Sequence, residues 1–260
     1  MNNTVNKTVQ ILKAVAACRE GKSLSQLVKE LNYPKSTVFN ILRSLEELGL
    51  LRISQGLVPV YRLGVETLQL GLSYLSQTSL DGAARPVLSQ LCRQTNETVF
   101  LSVRSGPGDL VYVMKYLSDS EFQTISSIGT VRPLLSVAMG KAMLCALSDA
   151  QVKATVTKEM LRHCSIDSVR DSASLLDYLH KMREMGYVRE ETRENPSFAT
   201  TVAVPVLEVS GQLAGAISVV IMRDPGNDER VRAVAEKAKA AAMEISRALG
   251  FTGSSLYPER

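Results

Sequence analysis

A short run of polar side chains, spaced to share one face of a helix, is the part of the sequence best suited to chemistry. Within KSTVFNILRS, Val38, Ile41 and Leu42 recur at helical spacing and would be buried. The opposite face then consists of Lys35, Ser36, Thr37, Asn40, Arg43 and Ser44. Lys and Arg can bind phosphate or guanine, Asn can pair with adenine, and hydroxyls suit phosphate or either base edge. The face predicts a surface that reads DNA; the alternative is an ordinary solvated helix face.

The residues around this face predict a helix-turn-helix. Ser23 and Gln26 have the spacing of a capping box, which places a helix start at residue 24. Pro34 suits the first turn of a second helix, Leu48 extends its apolar face, and Gly49 is a natural stop. Such a motif inserts its second helix into the DNA major groove.

Flanking segments extend the motif to a winged domain. Residues 5–19 predict an amphipathic helix whose inward residues are Val9, Ile11, Leu12, Val15 and Ala16. After Gly49, two short strands around a turn near Gln55 and Gly56 predict a hairpin, or wing. Arg52 and Arg62 would contact phosphate or the minor groove from this wing, unless they are plain solvated charges.

Charge is unevenly divided along the chain. Residues 1–63 hold nine Lys or Arg and four Glu, a net charge of +5, although the whole chain carries only +4. The remaining residues therefore carry a slight net negative charge. A basic small domain beside a nearly neutral body is what a polyanion-binding unit requires.

Residues 64–79 predict a linker helix with an apolar stripe of Val65, Leu68, Leu72 and Leu75. Packing against a second copy would bury this stripe, and a two-fold dimer would present two recognition helices to adjacent major grooves. The alternative is packing of the stripe on the protein's own body.

From residue 80 the pattern alternates between helices and hairpin-linked strands, which predicts an α+β domain with a largely antiparallel sheet. The predicted helices are 84–94, 137–147, one that begins after Ser148, 171–186 and 228–250. The predicted strands are 97–104, 110–116, 122–128, 187–191, 200–208 and 213–222. The predicted domains are therefore 1–63, a linker 64–79, and 80–250, followed by a polar tail, 251–260, that we expect to be loose.

Other classes of protein receive less support. Four cysteines without CxxC spacing indicate buried thiols in a reducing compartment rather than disulfides, and a zinc site that includes His163 and Cys164 is a weak alternative. No segment has the apolar length of a membrane span and no signal peptide is evident, so a cytoplasmic location is expected. The sequence contains no nucleophile elbow, phosphate loop or HExxH motif, which argues against an enzyme.

Four stretches resemble the IclR family of bacterial transcriptional regulators, in matching order and spacing along nearly the whole chain. They are NYPKSTVFNILRSLEELGLL, YRLG, IGTVRPLLSVAMGKAMLCAL and TTVAVPVLEVSGQLAGAISV. The resemblance implies a winged helix-turn-helix, mainly α with a β-hairpin wing, followed by a GAF-like α+β domain that binds a small effector. It also implies a homodimer or dimer of dimers, and effector control of promoter binding or of contact with RNA polymerase.

The resemblance assigns an effector site to the second domain. It includes Ala138 and Met139 at the start of a helix, polar Glu191, Thr201 and Ser218, and apolar Ala199 and Val220. We add Ser126 and Ser136 from local chemistry. Core packing is the alternative for Met139, and an ordinary sheet face is the alternative for Ser218 and Val220. Departures from the family pattern at Leu135, Val137, Pro196 and Thr201 leave the effector's identity open.

The combined expectation is a DNA-binding transcriptional regulator, often a repressor of catabolic genes, that responds to a small organic acid or aromatic catabolite and needs no cofactor. Two other hypotheses remain. An enzyme would turn over its ligand, and an interaction module with incidental DNA binding would show only a flat salt dependence.

Overall fold

The computed structural model divides the chain into two compact units, Met1–Thr78 and Ser79–Arg260. It describes residues 3–54, 58–77, 79–119, 126–192, 199–222 and 228–258. The turn expected near Gln55 and Gly56, and Pro196, lie outside these ranges. Within the described part, no helix has the length and apolarity needed to cross a membrane.

The first unit contains three helices, a two-stranded hairpin and a fourth helix. The elements are α1 (Asn3–Ala16), α2 (Leu24–Leu31), α3 (Lys35–Glu47), β1 (Leu51–Ser54), β2 (Val60–Leu63) and α4 (Val65–Gln77). The hairpin is antiparallel, with Arg52 opposite Arg62. This arrangement is the predicted winged helix-turn-helix.

Local chemistry fixes the ends of α2 and α3. The Gln26 amide donates to Ser23 Oγ at 3.3 Å and the Ser23 amide donates to Gln26 Oε1 at 2.8 Å, so the predicted capping box is present. Asn32 ends α2 in the left-handed conformation, with φ 52°. Gly49, two residues after α3, has φ 70°, and a Cβ there would lie 2.9 Å from Glu66 Cγ, so glycine suits this position.

Three residues expected to face the first core are exposed. The buried side of α1 is formed by Ile11, Ala14 and Val15, whereas Val9 and Ala16 lie on its other side. A step of two residues before Ile11 rotates Val9 far from the packed stripe. Leu48 is also exposed, because it follows the last helical residue of α3 and no longer belongs to the helical repeat.

The second unit is an antiparallel six-stranded sheet with helices on both faces. Its helices are α5 (Ser79–Thr95), α6 (Ala138–Cys145), α7 (Asp149–Thr155), α8 (Lys158–Arg162), α9 (Ser172–Met185) and α10 (Asp228–Ala248). Its strands are β3 (Thr98–Ser105), β4 (Asp109–Tyr116), β5 (Val131–Pro133), β6 (Val188–Thr192), β7 (Ala199–Leu207) and β8 (Leu213–Met222). The strand order is β5-β4-β3-β8-β7-β6.

Alternation along the strands separates two cores. Val202, Val204 and Ile217 belong to the core that contains residues of α5 and α10. Phe100, Ala203 and Ala216 belong to the core that contains residues of α6 and α9. Because successive strand residues point to opposite faces, one sheet supports both layers.

Several expectations for this unit need correction. The predicted 122–128 strand lies mostly outside the described residues, and Ile128 is in a turn. The short β5 and α8 were not predicted. The tail after Gly250 was expected to be loose, but Phe251 and Leu256 are buried and the Tyr257 hydroxyl donates to the Gly186 carbonyl at 2.7 Å. Its three apolar or aromatic side chains pack although the segment is otherwise polar.

Candidate functional sites

The outward face of α3 carries the polar residues that the sequence assigned to it. Lys35, Ser36, Asn40, Arg43 and Ser44 are exposed, and Thr37 is half-buried. Val38, Ile41, Leu42 and Leu45 are buried on the other side, so packing fixes which face α3 presents.

Arg43 is exposed, with its guanidinium close to a neighbouring carboxylate. Its Nε donates to Glu47 Oε1 at 3.0 Å, one turn further along α3. Exposed pairs of this kind contribute little to stability, so Arg43 can exchange this partner for an anion at small cost.

The two arginines of the hairpin have different surroundings. Arg62 Nε donates to the Glu20 carbonyl at 3.1 Å, and its Nη2 lies 3.4 Å from the Glu20 carboxylate. Reciprocal backbone bonds of 3.0 and 2.8 Å between Lys22 and Tyr61 join the same two segments. Arg62 therefore holds the hairpin against the turn after α1. Arg52 is exposed and makes no ion pair with any described residue.

Four of the five expected effector residues that belong to strands lie on one face of the larger sheet. Thr201 pairs with Val220, and Ser218 pairs with both Ala203 and Phe100. Residues that pair directly share a face, so these side chains belong to the layer of α6. Ala199 shares this face because it lies two residues before Thr201 on the same strand.

The first residues of α6 are packed against this face. Ala138 and Met139 are buried, and Ser102 Oγ donates to Met139 Sδ at 3.2 Å. Gly140 makes the close packing possible, because a Cβ there would lie 1.9 Å from the Leu134 carbonyl oxygen. Met139 thus has the core-packing role that was its alternative interpretation, while it also borders the expected site.

Glu191 does not join this group, which corrects the sequence-based assignment. In β6, Glu190 pairs with Thr201, whereas Glu191 pairs with Thr200 and points to the opposite face. The Glu191 carboxylate lies 3.1 Å from Arg189, which also binds Asp228 at the start of α10. A shift of one residue along a strand reverses the face, so Glu190 takes the place expected for Glu191.

The two added serines make local contacts. Ser136 Oγ donates to the Pro133 carbonyl at 2.8 Å within the short 3₁₀ turn Leu134–Ser136. Ser126 offers its carbonyl oxygen to Lys115 Nζ at 2.7 Å. Lys115 pairs with Phe100 in the sheet, and its ammonium lies 5.4 Å from that ring's centre. In this hydrogen bond it is the backbone carbonyl of Ser126, and not its hydroxyl, that contacts a residue of the expected face.

A buried charged cluster beside this face was not anticipated. Lys141 is 0% exposed, and its Nζ donates to the Leu135 carbonyl at 2.9 Å and to Ser165 Oγ at 2.7 Å. It also lies 3.0 Å from Glu190 Oε2, a contact of opposite charges without good hydrogen-bond alignment. The Ser165 hydroxyl donates to the other Glu190 oxygen.

Burial lowers the pKa of Lys141 because it disfavours the charged ammonium, and nearby Glu190 opposes that change. The sequence contained a usable signal for this cluster. In AMGKAMLC, Lys141 is the one charged residue of an otherwise apolar helix, and such a residue needs a buried partner.

Aromatic rings continue the same face. The Phe100 and Tyr112 ring centres are 5.2 Å apart with a 37° tilt. Tyr112 is buried, and burial raises the pKa of its hydroxyl, while nearby Arg132 opposes the rise. The face thus combines aromatic surface, small hydroxyls and a cation.

A separate surface pocket of about 890 Å³ contains none of the expected effector residues. Its polar lining is internally bonded: Arg183 donates to Asp149 at 2.7 Å and to the carbonyls of Cys145 and Leu147, and His180 lies 2.9 Å from Asp149. These bonds join α9 to the end of α6 and the start of α7.

Side chains that could bind a metal ion are dispersed in the part of the chain that the structure describes. Among the described residues, no three His, Cys, Asp or Glu side chains are grouped to hold a metal ion. The four cysteines are free thiols, and burial raises the pKa of Cys145 to about 12. A thiol in that environment is a packing group rather than a nucleophile.

Two family models match the chain. The IclR helix-turn-helix domain matches residues 4–53, and the bacterial transcriptional regulator IclR C-terminal domain matches residues 72–247. The chain belongs to the IclR family. Proteins of this family are transcriptional regulators and not enzymes.

Individual members of the family match nearly the full length of this chain. The transcriptional regulator KipR of Bacillus subtilis is 28% identical over 96% of this chain and 98% of its own. An IclR regulator structure from Alicyclobacillus acidocaldarius has a TM-score of 0.79 at 20% identity, covering 96% of this chain and 100% of that one. An IclR homologue from Microbacterium hydrocarbonoxydans, in complex with 4-hydroxybenzoate, has a TM-score of 0.73 at 18% identity, covering 95% and 99%.

Proposed function

We propose that this IclR-family regulator reads a specific promoter sequence through α3, and that a small molecule bound to the second unit changes this binding. One observation carries the proposal: packing of α3 leaves a row of exposed base- and phosphate-binding side chains within residues 1–63, a segment of net charge +5. In this proposal residues 1–63 form the DNA-binding domain, residues 64–79 form a linker helix, and residues 80–250 form the domain that binds the effector.

The DNA contacts follow from chemistry at each position. Asn40 and Arg43 would read bases, Arg43 by paired bonds to guanine, whereas Lys35, Ser36, Thr37 and Ser44 would contact phosphate or base edges. Arg52 would contact phosphate from the wing. Arg62, proposed from sequence as a second wing contact, has its guanidinium turned to Glu20 and contributes mainly by positioning the hairpin.

A promoter-binding assay tests the recognition helix. Promoter fragments from the protein's own gene neighbourhood are titrated with wild type, Asn40→Ala and Arg43→Ala, at a fixed moderate salt concentration. Loss of the Arg43 contact should cost about 1–3 kcal/mol and relax preference at one base pair. Lys153→Ala, which removes an exposed positive charge from α7, is the matched control and should bind as wild type does. Equal affinity of all four proteins would contradict the assignment.

The effector that we propose is a small organic acid or aromatic catabolite. The face that contains Ala199, Thr201, Ser218 and Val220 also offers the Phe100–Tyr112 ring pair, against which an aromatic ligand could stack. Ala138, Met139, Ser126 and Ser136 would border it. The 4-hydroxybenzoate complex of the Microbacterium homologue supports an aromatic acid as a first choice for testing.

The apolar stripe of α4 supports a homodimer, or a dimer of dimers. Val65, Leu68 and Leu72 are exposed in the single chain, and a second copy would cover them. A two-fold dimer would present two copies of α3 to DNA. Such a protein would act in the cytoplasm, and would repress by occupying the promoter or act through contact with RNA polymerase. A reporter assay with the gene deleted separates these outcomes, since loss of a repressor raises expression.

A further inference from the structure

Phe39 is an exposed aromatic residue on α3. Its side chain is 47% exposed, whereas Phe100 in the second unit is 2% exposed. A phenyl ring left in water loses the stabilisation that burial would give it. The residue therefore calls for an explanation other than packing within its own unit.

The position of Phe39 supplies that explanation. It lies four residues after Lys35 and four before Arg43, so the three side chains follow one strip along α3. Val38, Ile41, Leu42 and Leu45 complete the buried side without it. Phe39 thus belongs to the surface that we propose for DNA contact.

The neighbours of Phe39 favour DNA over an apolar protein partner. Lys35, Asn40 and Arg43 are exposed around it, and covering them with apolar surface would cost the hydration of their polar groups. The major groove satisfies these groups with phosphates and base edges, and presents an apolar group of its own in the methyl of thymine. One strip of α3 thus matches both kinds of group.

We propose that Phe39 contacts the 5-methyl group of a thymine and is a specificity-determining residue of the operator. This proposal rests on the proposed function, since it requires α3 to lie in the major groove. Phe39 would distinguish thymine from the other bases by packing, while Asn40 and Arg43 read neighbouring bases by hydrogen bonds.

Replacing thymine by deoxyuridine tests the contact, because it removes only the methyl group and keeps base pairing. An operator is first selected from a random duplex library with full-length wild-type protein. Each thymine of that operator is then replaced in turn, and affinity is measured for wild type, Phe39→Ala and Phe39→Leu. Leu48→Ala is the matched control, because Leu48 is an exposed apolar residue just beyond α3.

At one thymine, loss of the methyl should weaken wild-type binding about three- to fivefold, the effect of one buried methyl group. Phe39→Ala should bind the unmodified operator more weakly and lose nothing further at that position. On replacement of that thymine by deoxyuridine, Phe39→Leu should lose affinity by a smaller factor than wild type does. Leu48→Ala should lose affinity by the same factor as wild type. Unchanged melting temperatures would show that the variants are folded.

Two results would overturn the proposal, and they are distinguishable. If Phe39→Ala loses as much affinity as wild type at every deoxyuridine, Phe39 reads no methyl, although DNA recognition by α3 stands. If wild type selects no sequence at all, the proposed function fails and the Phe39 contact fails with it.

Discussion

Individual side chains in the winged unit differ in role even where the sequence makes them look alike. Arg52 and Arg62 face each other across the hairpin, and like charges in such a pair repel. Glu20 relieves that repulsion by binding Arg62. Arg52 remains the wing cation that a phosphate can bind.

This difference predicts separate effects of two substitutions. Arg52→Ala should weaken binding to all DNA sequences by a similar factor and reduce the slope of log affinity against log salt by about 1. Arg62→Ala should chiefly lower the melting temperature, because it loosens the hairpin. Titrations at several salt concentrations, with thermal melts, measure both. An equal loss of slope in the two variants would show that Arg62 also contacts phosphate.

Lys141 gives a second prediction at the scale of the residue. Lys141→Met leaves the Glu190 carboxylate buried without its cation, which should cost about 3–5 kcal/mol of unfolding free energy. Adding Glu190→Leu should recover most of that loss, because a buried pair is often replaceable by apolar groups. Urea unfolding of the full-length single and double variants measures both changes in unfolding free energy. A Lys141→Met protein as stable as wild type would show that the Glu190 carboxylate does not depend on this cation.

Among the helices and strands, local sequence rules predicted where a helix begins and ends better than they predicted which face a side chain occupies. The capping box at Ser23 and the stop at Gly49 depend on neighbouring residues only, and both are present. The face of Glu191 depends on the register of β6 against β7, which a distant pairing sets. The burial of Phe251 depends on a core formed by remote elements. Neither could be read from local spacing.

The exposed stripe of α4 predicts an effect on assembly. Leu68→Arg should weaken the proposed dimer, because it puts a charge into an interface that is otherwise apolar. Leu70→Arg is the control: Leu70 is equally an exposed leucine of α4, but two residues from Leu68 and off the stripe. Sedimentation velocity over a range of concentrations measures association. Equal behaviour of the two variants would argue against α4 as the contact.

The junction of α6, α7 and α9 predicts a pH effect. Its hydrogen bond from Arg183 lowers the pKa of Asp149 below the ordinary value of about 3.9. The ionised Asp149 carboxylate therefore contributes its full stabilisation of the folded unit at a pH above the ordinary aspartate pKa. This contribution is lost as the pH falls through the lower pKa of Asp149 in the folded state. The stability gap between wild type and Asp149→Asn should narrow below about pH 4. A gap that stays constant with pH would show that the carboxylate's charge is not what stabilises the junction.

In the whole molecule, the uneven division of charge in the sequence predicts a basic DNA-binding segment followed by a nearly neutral domain. The α+β class and the antiparallel sheet also followed from hairpin spacing. The buried Lys141 cluster did not, because Leu135, Ser165 and Glu190 come together only in the folded unit. The effector's identity depends on such assembled surfaces, which spacing alone does not describe.

In the function that we propose, ligand binding and promoter binding are coupled in one chain. A thermal-shift screen of small organic acids, beginning with 4-hydroxybenzoate, identifies a ligand that raises the melting temperature. The decisive measurement is the Kd of the full-length protein for its promoter fragment, with and without that ligand at saturation. We predict a change of roughly fivefold or more. A ligand that stabilises the protein and leaves this Kd unchanged would contradict the account.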